Sequence, residues 1–123
     1  MRRTVVAVIG AVILAGSSPL AHHSYADFLL DQTVSVEGEV EELLFVNPHV
    51  ILKVRAKDSY TYTATWRAAY QLGRTGVIST TLRVGDHVIV TGNPSRDTAA
   101  YGISKLTEVR RPADGWRWSS QSW

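Results

Sequence analysis

The chain of 123 residues contains no cysteine. A domain of this size must therefore be held by packing rather than by disulfide bonds, and it offers no thiolate as a nucleophile, redox centre or metal ligand. Its four histidines show no HExxH or HxxxH spacing, and its glycines form no GxxxxGK[ST] phosphate loop. These absences argue against nucleotide chemistry and weaken the case for a metal site. The residues that are present, 45% hydrophobic and 20% charged, suit one globular domain with one core.

One apolar run, residues 5–15, follows Arg2 and Arg3 and precedes small and polar residues. This order of charged region, apolar region and cleavage region predicts a cleavable signal peptide, with its helix, over residues 1–21. The run is shorter than the ~20 residues that a membrane-spanning helix needs, and no second such run follows. We therefore expect a periplasmic or secreted protein without a stable membrane span after processing. Cleavage is expected after Ala21, with a cut after Ser17 as the alternative.

The charge balance changes once the signal peptide is removed. The whole chain has 13 basic and 11 acidic residues, and without Arg2 and Arg3 the balance becomes 11 against 11. A nucleic-acid partner requires a basic face that survives processing, whereas the remaining chain has only a local cluster at Arg110, Arg111 and Arg117. The charge balance argues against nucleic acid as a partner.

The first half of the mature chain has the pattern of a strand meander. Apolar and polar residues alternate over residues 34–40, which predicts a strand with one buried face. Gly38 lies inside this run and the alternation slips after Glu42, so a coiled strand with a bulge or sharp bend is expected. A second strand is predicted over residues 49–56 and a third over residues 60–66.

The second half predicts one short helix and two more strands. Helix formers occupy residues 67–73, and Val-Ile-Val at residues 88–90 follows a Gly-Asp turn. A turn-rich stretch over residues 92–97 separates this fourth strand from a fifth near residues 101–109. Three strands, a helix and two strands predict a mainly β fold: a small five-stranded OB-like barrel with one short helix between strands 3 and 4. An open β-sandwich or roll is the alternative.

Several motifs occur in the order seen in a known family. These motifs are His22-His23-Ser24-Tyr25, the valine-rich strand around Gly38, Asn47-Pro48-His49 and Gly85-Asp86. The chain in this respect resembles a family of small exported bacterial proteins of unknown function, over essentially the whole mature length. The resemblance implies an exported, OB-like domain and no established reaction. We divide the chain into a signal peptide (1–21), an OB-like β domain (22–110) and a Trp/Arg-rich C-terminal tail (111–123).

Three of the four histidines, His22, His23 and His49, lie in the motif segments. After cleavage at Ala21, His22 offers an α-amine and an imidazole, a chelating pair suited to Cu(II), and His49 could complete a histidine-brace-like site. If cleavage instead precedes Ala21, His23 becomes the third residue of the mature chain. The N-terminal amine, two backbone nitrogens and the His23 imidazole can then coordinate Cu(II) in a square plane. The alternative is structural: His22 and His23 lead into the fold and His49 fixes a turn. His87 is expected to face solvent.

Aromatic residues cluster in two places, and each cluster allows two interpretations. The first cluster, Tyr60, Tyr62 and Trp66, lies on the third strand, and an aromatic face on an OB-like barrel can stack a sugar or base. The second cluster alternates with arginine as Trp116, Arg117 and Trp118, a composition enriched at binding hot spots. Alternatively, these rings pack a half-buried sheet and the tail folds back over the barrel.

The sequence offers little to support an enzyme. Ser24 stands beside His23, but adjacent residues rarely face each other and no nucleophile-elbow glycines surround the serine. Glu37, Glu39 and Glu41 fall on one outer strand face, where carboxylates are usually solvated. Two functions follow. We favour a non-catalytic OB-like binding module of the bacterial cell envelope, acting on a protein or glycan partner; the alternative is a periplasmic copper-binding protein using His22, His23 and His49.

Overall fold

The computed structural model describes residues 25–121. In this part of the chain six strands and one short α-helix follow a 3-10 turn at Tyr25–Asp27. The elements are β1 (Val34–Leu44), β2 (Ile51–Ala56), β3 (Thr61–Thr65), α1 (Ala69–Arg74), β4 (His87–Pro94), β5 (Gly102–Arg111) and β6 (Trp116–Ser119). The predicted signal peptide lies outside the described residues.

Five strands close into a barrel. The sheet runs in the order β3-β2-β1-β4-β5, and a parallel pairing of β3 with β5 joins its two ends. This closure uses two residue pairs, Thr63 with Gly102 and Ala64 with Ile103. The mainly β fold, the five-stranded OB-like barrel and the short helix between strands 3 and 4 are therefore confirmed.

The strand β6 was not expected from the sequence. It lies within the Trp/Arg-rich tail and pairs antiparallel with β5, from Glu108 opposite Ser119 to Arg111 opposite Trp116. Residues 108–110 of β5 also pair with β4, which lies along one edge of β5. The strand β6 therefore lies along the opposite edge, the edge that pairs with β3 at the start of β5. One edge of β5 is thus shared by two strands, β3 first and β6 later.

The core fills the barrel with alternate side chains from the strands. In β1, Val36 and Val40 are buried while the residues between them, apart from Gly38, are exposed, as the period-two pattern predicted. The other members with the least exposure come from all sides of the barrel and from α1, and include Leu52, Val54, Leu72, Leu82, Val88, Val90, Ile103, Val109, Trp66 and Trp118. The core of this cysteine-free domain therefore depends on aliphatic packing closed by two tryptophans.

The strand β1 is bent, as expected. Its register against β2 shifts between Val40 and Glu42, which marks an irregularity of the bulge type. At Gly38, a Cβ atom would overlap the carbonyl oxygen of Arg55 and lie 2.6 Å from the carbonyl carbon. Only glycine lets the backbones of β1 and β2 approach so closely, and this contact lets β1 coil from one side of the barrel to the other.

The strands β4 and β5 contain a second irregularity. Asn93 pairs with Ser104 and Thr91 pairs with Glu108, so Gly92 alone faces residues 105–107 of β5. We call residues 105–107 the β5 bulge. A Cβ atom at Gly92 would lie 2.5 Å from the carbonyl oxygen of Ser104, because the bulge folds over this position. The pairing explains why β4 continues to Pro94, although its composition from residue 92 onward predicted turns.

The helix α1 begins two residues later than predicted. The carbonyl oxygen of Arg67 accepts a hydrogen bond from the Val50 amide at 2.9 Å, which keeps Arg67 extended. Ala68 then takes the N-cap position, and its amide donates to the side-chain oxygen of Gln71 at 3.1 Å. Long-range pairing therefore overrides the helix propensity of the first two residues.

Candidate functional site

A cleft of about 1000 Å³ opens in the barrel wall between β3 and β5. The cleft forms where one edge of β5 has no strand partner. This edge pairs with β3 at residues 102–103 and with β6 at residues 108–111, and the stretch between them borders the cleft. We call this site the β3–β5 cleft. Its position is fixed by the β5 bulge, which turns the strand away from the end of β3.

Two loops frame the cleft: the β1–β2 loop (residues 45–50) and the β4–β5 loop (residues 95–101). The first contributes His49 and the second contributes Ser95, Arg96, Asp97 and Ala100. Along the walls, the remaining polar and charged lining side chains are Asp27, Thr65, Arg67, Gln71, Ser104, Lys105, Thr107 and Ser120, together with Phe28, Trp66 and Leu106. The lining combines hydroxyl groups, both signs of charge and aromatic rings.

Trp66 forms the floor of the cleft at the end of β3. The residue is 3% exposed and packs edge to face against Trp118, with ring centroids 5.1 Å apart. Its backbone amide donates to the carbonyl oxygen of Val50, which fixes the ring relative to the β1–β2 loop. The indole N–H of Trp66 is buried and has no hydrogen-bond acceptor among residues 25–121. A buried donor without an acceptor is energetically costly.

Arg67 joins the end of β3 to the chain beyond β6. One terminal nitrogen, Nη2, donates to the carbonyl oxygen of Ser120 at 3.1 Å, and the guanidinium lies 5.2 Å from the Trp118 ring centroid. The amide of Ser120 in turn donates to the carbonyl oxygen of Thr107 at 2.9 Å. These bonds close the end of the cleft that lies beside β6 and place a cation there.

Lys105 lies in the wall of the cleft with an unusual backbone conformation. Its φ of 45° is in the left-handed region, which side chains other than glycine, asparagine and aspartate rarely adopt. Tyr101, which ends the β4–β5 loop, has a φ of 47°. Lys105 lines the cleft and Tyr101 adjoins two residues that do, and strained backbone is often retained where a site requires it.

The opposite end of the cleft is built by the N-terminal segment. Phe28 forms a β-bridge with Ser95, and the Arg96 guanidinium Nε donates to the carbonyl oxygen of Ala26 at 2.7 Å. The amide of Arg96 donates to the carbonyl oxygen of Asp27 at 2.9 Å. The first described residues are therefore anchored to the β4–β5 loop, and they bring the Asp27 side chain to the cleft.

His49 is brought to this site, whereas the other predicted metal ligands, His22 and His23, lie outside the described residues. The exposed His49 ring has Nδ1 3.3 Å from the carbonyl oxygen of Trp66. Within residues 25–121, histidine, aspartate and glutamate side chains nowhere gather in a group of three that could hold a metal. The predicted copper site is thus left with one described ligand, located in the cleft.

His87 and the glutamate face lie elsewhere on the barrel. His87 is exposed, as expected, with Nε2 2.9 Å from a carboxylate oxygen of Glu37, and this hydrogen bond lowers the pKa of Glu37. Glu41 accepts a hydrogen bond from the Thr61 hydroxyl at 2.7 Å and pairs with Arg55, and both contacts lower its pKa. These carboxylates remain ionised and act in cross-strand pairs on the outer surface.

The tyrosines of the third strand lie at the barrel end, together with a residue that the sequence did not single out. Tyr60 stacks on Tyr101 with ring centroids 4.4 Å apart, and Tyr62 meets Tyr101 edge to face at 5.3 Å. Tyr60 is half exposed. Burial is the main cause that raises the pKa of both Tyr62 and Tyr101, so these two rings present neutral hydroxyls at neutral pH. Since Tyr101 adjoins Ala100 and Gly102 of the cleft, this tyrosine cluster extends the site outward.

The tail residues have three different environments. Trp118 is 2% exposed and donates its indole N–H to the Thr75 hydroxyl at 3.2 Å. Trp116 is half-buried with the Arg111 guanidinium 5.6 Å from its ring centroid, and Arg117 is exposed and pairs with Glu108 at 2.8 Å. The burial of Trp118 against Trp66 fits the interpretation in which the tail folds back over the barrel, and it makes Trp66 the ring with a side in the cleft.

Sequence reasoning missed most of the cleft. Lys105, Arg96 and Tyr101 carry no motif, and their neighbourhood was assigned only to a turn-rich stretch and a strand. The one usable indication is composition: residues 93–101 concentrate turn formers and charges, which is typical of a binding loop on a β scaffold. No local pattern reveals a bulge in β5, because the bulge is defined by pairing with a distant strand.

A comparison with known families gives one result that bears on this site. The model of a family described as a family of unknown function (DUF6152) matches residues 11–105, which include β1 to β4 and the beginning of β5. No curated protein matches the sequence. Among residues 25–121, no helix has the length and apolar character needed to cross a membrane.

Proposed function

Since the chain belongs to DUF6152, a family of unknown function, we propose from its structure that it is an exported, non-catalytic binding module of the bacterial cell envelope. The module holds a protein or glycan partner in the β3–β5 cleft. Export rests on the charged, apolar and small-residue order of residues 1–21. The binding role rests on the cleft.

The observation that carries this proposal is the position of the cleft between the β1–β2 and β4–β5 loops. OB folds bind oligosaccharides and oligonucleotides at the corresponding loops and the adjoining strands, so the analogy of fold points to the same place. The balanced charge of the mature chain favours a glycan or protein over a nucleic acid. The tyrosine cluster beside the cleft offers aromatic rings on which a sugar ring or an aromatic side chain of a partner can stack.

The chemistry of the lining supports binding rather than catalysis. The lining hydroxyls of Thr65, Ser95 and Thr107 can each donate and accept hydrogen bonds, which suits a ligand rich in hydroxyl or amide groups. The Nδ1 atom of His49 faces a backbone carbonyl oxygen at 3.3 Å, so the ring is not oriented by a carboxylate as a general base would be.

Two adjacent alanines provide a sharp test of the site. Ala99 and Ala100 are both exposed in the β4–β5 loop, and only Ala100 lines the cleft. We expect Ala100→Trp to block the cleft and to weaken binding of oligosaccharides or peptides by about tenfold or more, equivalent to ~1.4 kcal/mol. Ala99→Trp is the matched control and should leave the affinity unchanged.

The measurement is an NMR titration of the processed protein with a panel of neutral oligosaccharides and short peptides. Amide shifts are expected at Thr65 and Ser104 in the cleft and not at Glu37 and Glu41 on the outer surface. Shifts confined to the outer surface, or equal affinities for the two tryptophan variants, would show that the partner binds elsewhere.

A second candidate function, copper binding, is favoured by the position of one histidine. His49 lines the same cleft as Asp27, and His22 precedes Asp27 by only five residues, a separation that an extended chain covers in about 17 Å. The N-terminal amine and imidazole of a processed His22 could therefore reach His49. Amine and imidazole nitrogens are ligands that Cu(II) prefers.

The copper hypothesis predicts one equivalent of Cu(II) bound with sub-micromolar affinity, weakened about tenfold or more in His49→Ala because one imidazole ligand is lost. Titration of the correctly processed protein, with its N-terminus established by intact mass, measures this affinity. His87→Ala is the control, since His87 pairs with Glu37 away from the cleft. Affinity no greater than that of a peptide carrying the mature N-terminal residues alone would exclude His49 as a ligand.

A further inference from the structure

The cleft is unevenly charged along its length. Its two lining carboxylates, Asp27 and Asp97, lie with the N-terminal segment and the β4–β5 loop at one end, where Arg96 is the one cation among residues 25–121 that lines the cleft. Arg67 closes the other end beside β6, and Lys105 projects from the β5 bulge between the two ends. Trp66 lines the same space with its ring, and its buried indole N–H has no acceptor among residues 25–121. The half of the cleft nearer β6 is therefore rich in donors and positive charge.

The backbone of Lys105 adds a second, independent observation. A left-handed φ of 45° costs free energy for lysine, whereas glycine or asparagine would adopt the same conformation more cheaply. The bulge needs a left-handed residue at this point, but it does not need a lysine. A strained residue whose side chain lines a cleft indicates that the side chain has a use there.

We propose that the β5 bulge positions the ammonium group of Lys105, together with the Arg67 guanidinium, to bind a carboxylate group of the ligand. This inference rests on the proposed binding role of the cleft and defines the class of ligand as acidic. A carboxylate accepts hydrogen bonds at two oxygens, and bonds from ionised donors are shorter and stronger than neutral ones. Uronic-acid sugars and the C-terminal carboxylate of a peptide share this chemistry.

Two matched pairs of small ligands test the carboxylate directly and distinguish its sources. One pair is D-glucuronate with D-glucose, and the other is N-acetylglycine with N-acetylglycinamide. At fixed ionic strength, the acid of at least one pair should bind roughly tenfold more tightly than its neutral partner. A preference in the sugar pair points to an acidic glycan, and a preference in the peptide pair points to a peptide terminus.

Variants of Lys105 separate a binding role from a structural one. Lys105→Gln keeps a side chain of similar size without the charge, and Lys105→Gly also relieves the left-handed strain. Both should abolish the preference for the acid, while Lys105→Gly should melt at a higher temperature than the parent protein. Ser59, with a φ of 70° in the β2–β3 turn, provides the control: Ser59→Gly should also gain stability without any change in binding.

The indole N–H resonances provide a direct readout of contact. Addition of the acid should shift the Trp66 resonance, because this ring lines the cleft, whereas the Trp118 resonance should not change, because Trp118 does not line the cleft. Equal affinities within both pairs, no binding of either acid, or a preference that survives in both Lys105 variants would overturn the inference. Neutral ligands that still bind in the cleft would then leave the proposed binding function intact.

Discussion

Replacing Gly38 by alanine is expected to lower the free energy of unfolding by at least about 3 kcal/mol, the upper range for overpacking a core. A Cβ atom there would overlap the backbone carbonyl oxygen of Arg55 and lie 2.9 Å from the Cα of Ala56. The obstacle is backbone rather than a flexible side chain, so β1 and β2 must separate. Since one kcal/mol shifts the melting temperature of such a domain by roughly 4–8 °C, thermal unfolding followed by circular dichroism measures the effect.

A second glycine provides the matched control for this substitution. Gly73 lies in α1, and a Cβ atom at this position would meet no atom within 4 Å. Gly73→Ala should therefore stabilise the protein slightly, by up to about 1 kcal/mol, since alanine is the better helix former. A melting temperature for Gly38→Ala equal to that of the parent protein would mean that β1 does not coil as described.

Truncation of Trp118 should have the next largest effect, a loss of about 3–5 kcal/mol of stability. The ring is 2% exposed, packs edge to face on Trp66 and donates its N–H to Thr75. Trp118→Ala thus removes a large apolar area and leaves the end of the barrel open. Chemical denaturation measures this loss, provided that the slope of the unfolding free energy against denaturant concentration is the same in the variant and the parent protein.

The neighbouring tryptophan of the same strand provides a comparison for Trp118. Trp116 is only half-buried, with Arg111 near its ring, so Trp116→Ala should lose clearly less stability. Equal losses in the two variants would contradict the distinct environments of the rings. Trp118→Phe, which keeps a ring but loses the hydrogen bond to Thr75, should fall between Trp118→Ala and the parent protein.

The parts of the fold that follow local patterns were predictable. Alternation over residues 34–40 gave β1, and Gly38 with the slip after Glu42 gave its bend. The order of strands and helix was enough to predict an OB-like barrel, because few closed topologies fit three strands, a helix and two strands. In contrast, β6 spans four residues, too few for a period-two pattern to stand out, and it exists because β5 offers an edge for pairing.

The candidate site was predicted only in fragments. His49 and Trp66 were singled out by motif and residue type, and both line the cleft. The contribution of Lys105 could not be predicted, because its position depends on a register shift between β4 and β5. Similarly, Trp66 packs against Trp118, which comes from a strand more than fifty residues away along the chain.

The sharing of one β5 edge between β3 and β6 has a consequence for self-association. An unpaired strand edge is a template for intermolecular β-pairing and aggregation, and β6 covers residues 108–111 of this edge. What remains uncovered is the stretch that contains the β5 bulge and Lys105, two features that natural proteins use to blunt exposed edges. The irregularity that opens the cleft therefore also keeps the opening from recruiting the strand of another molecule.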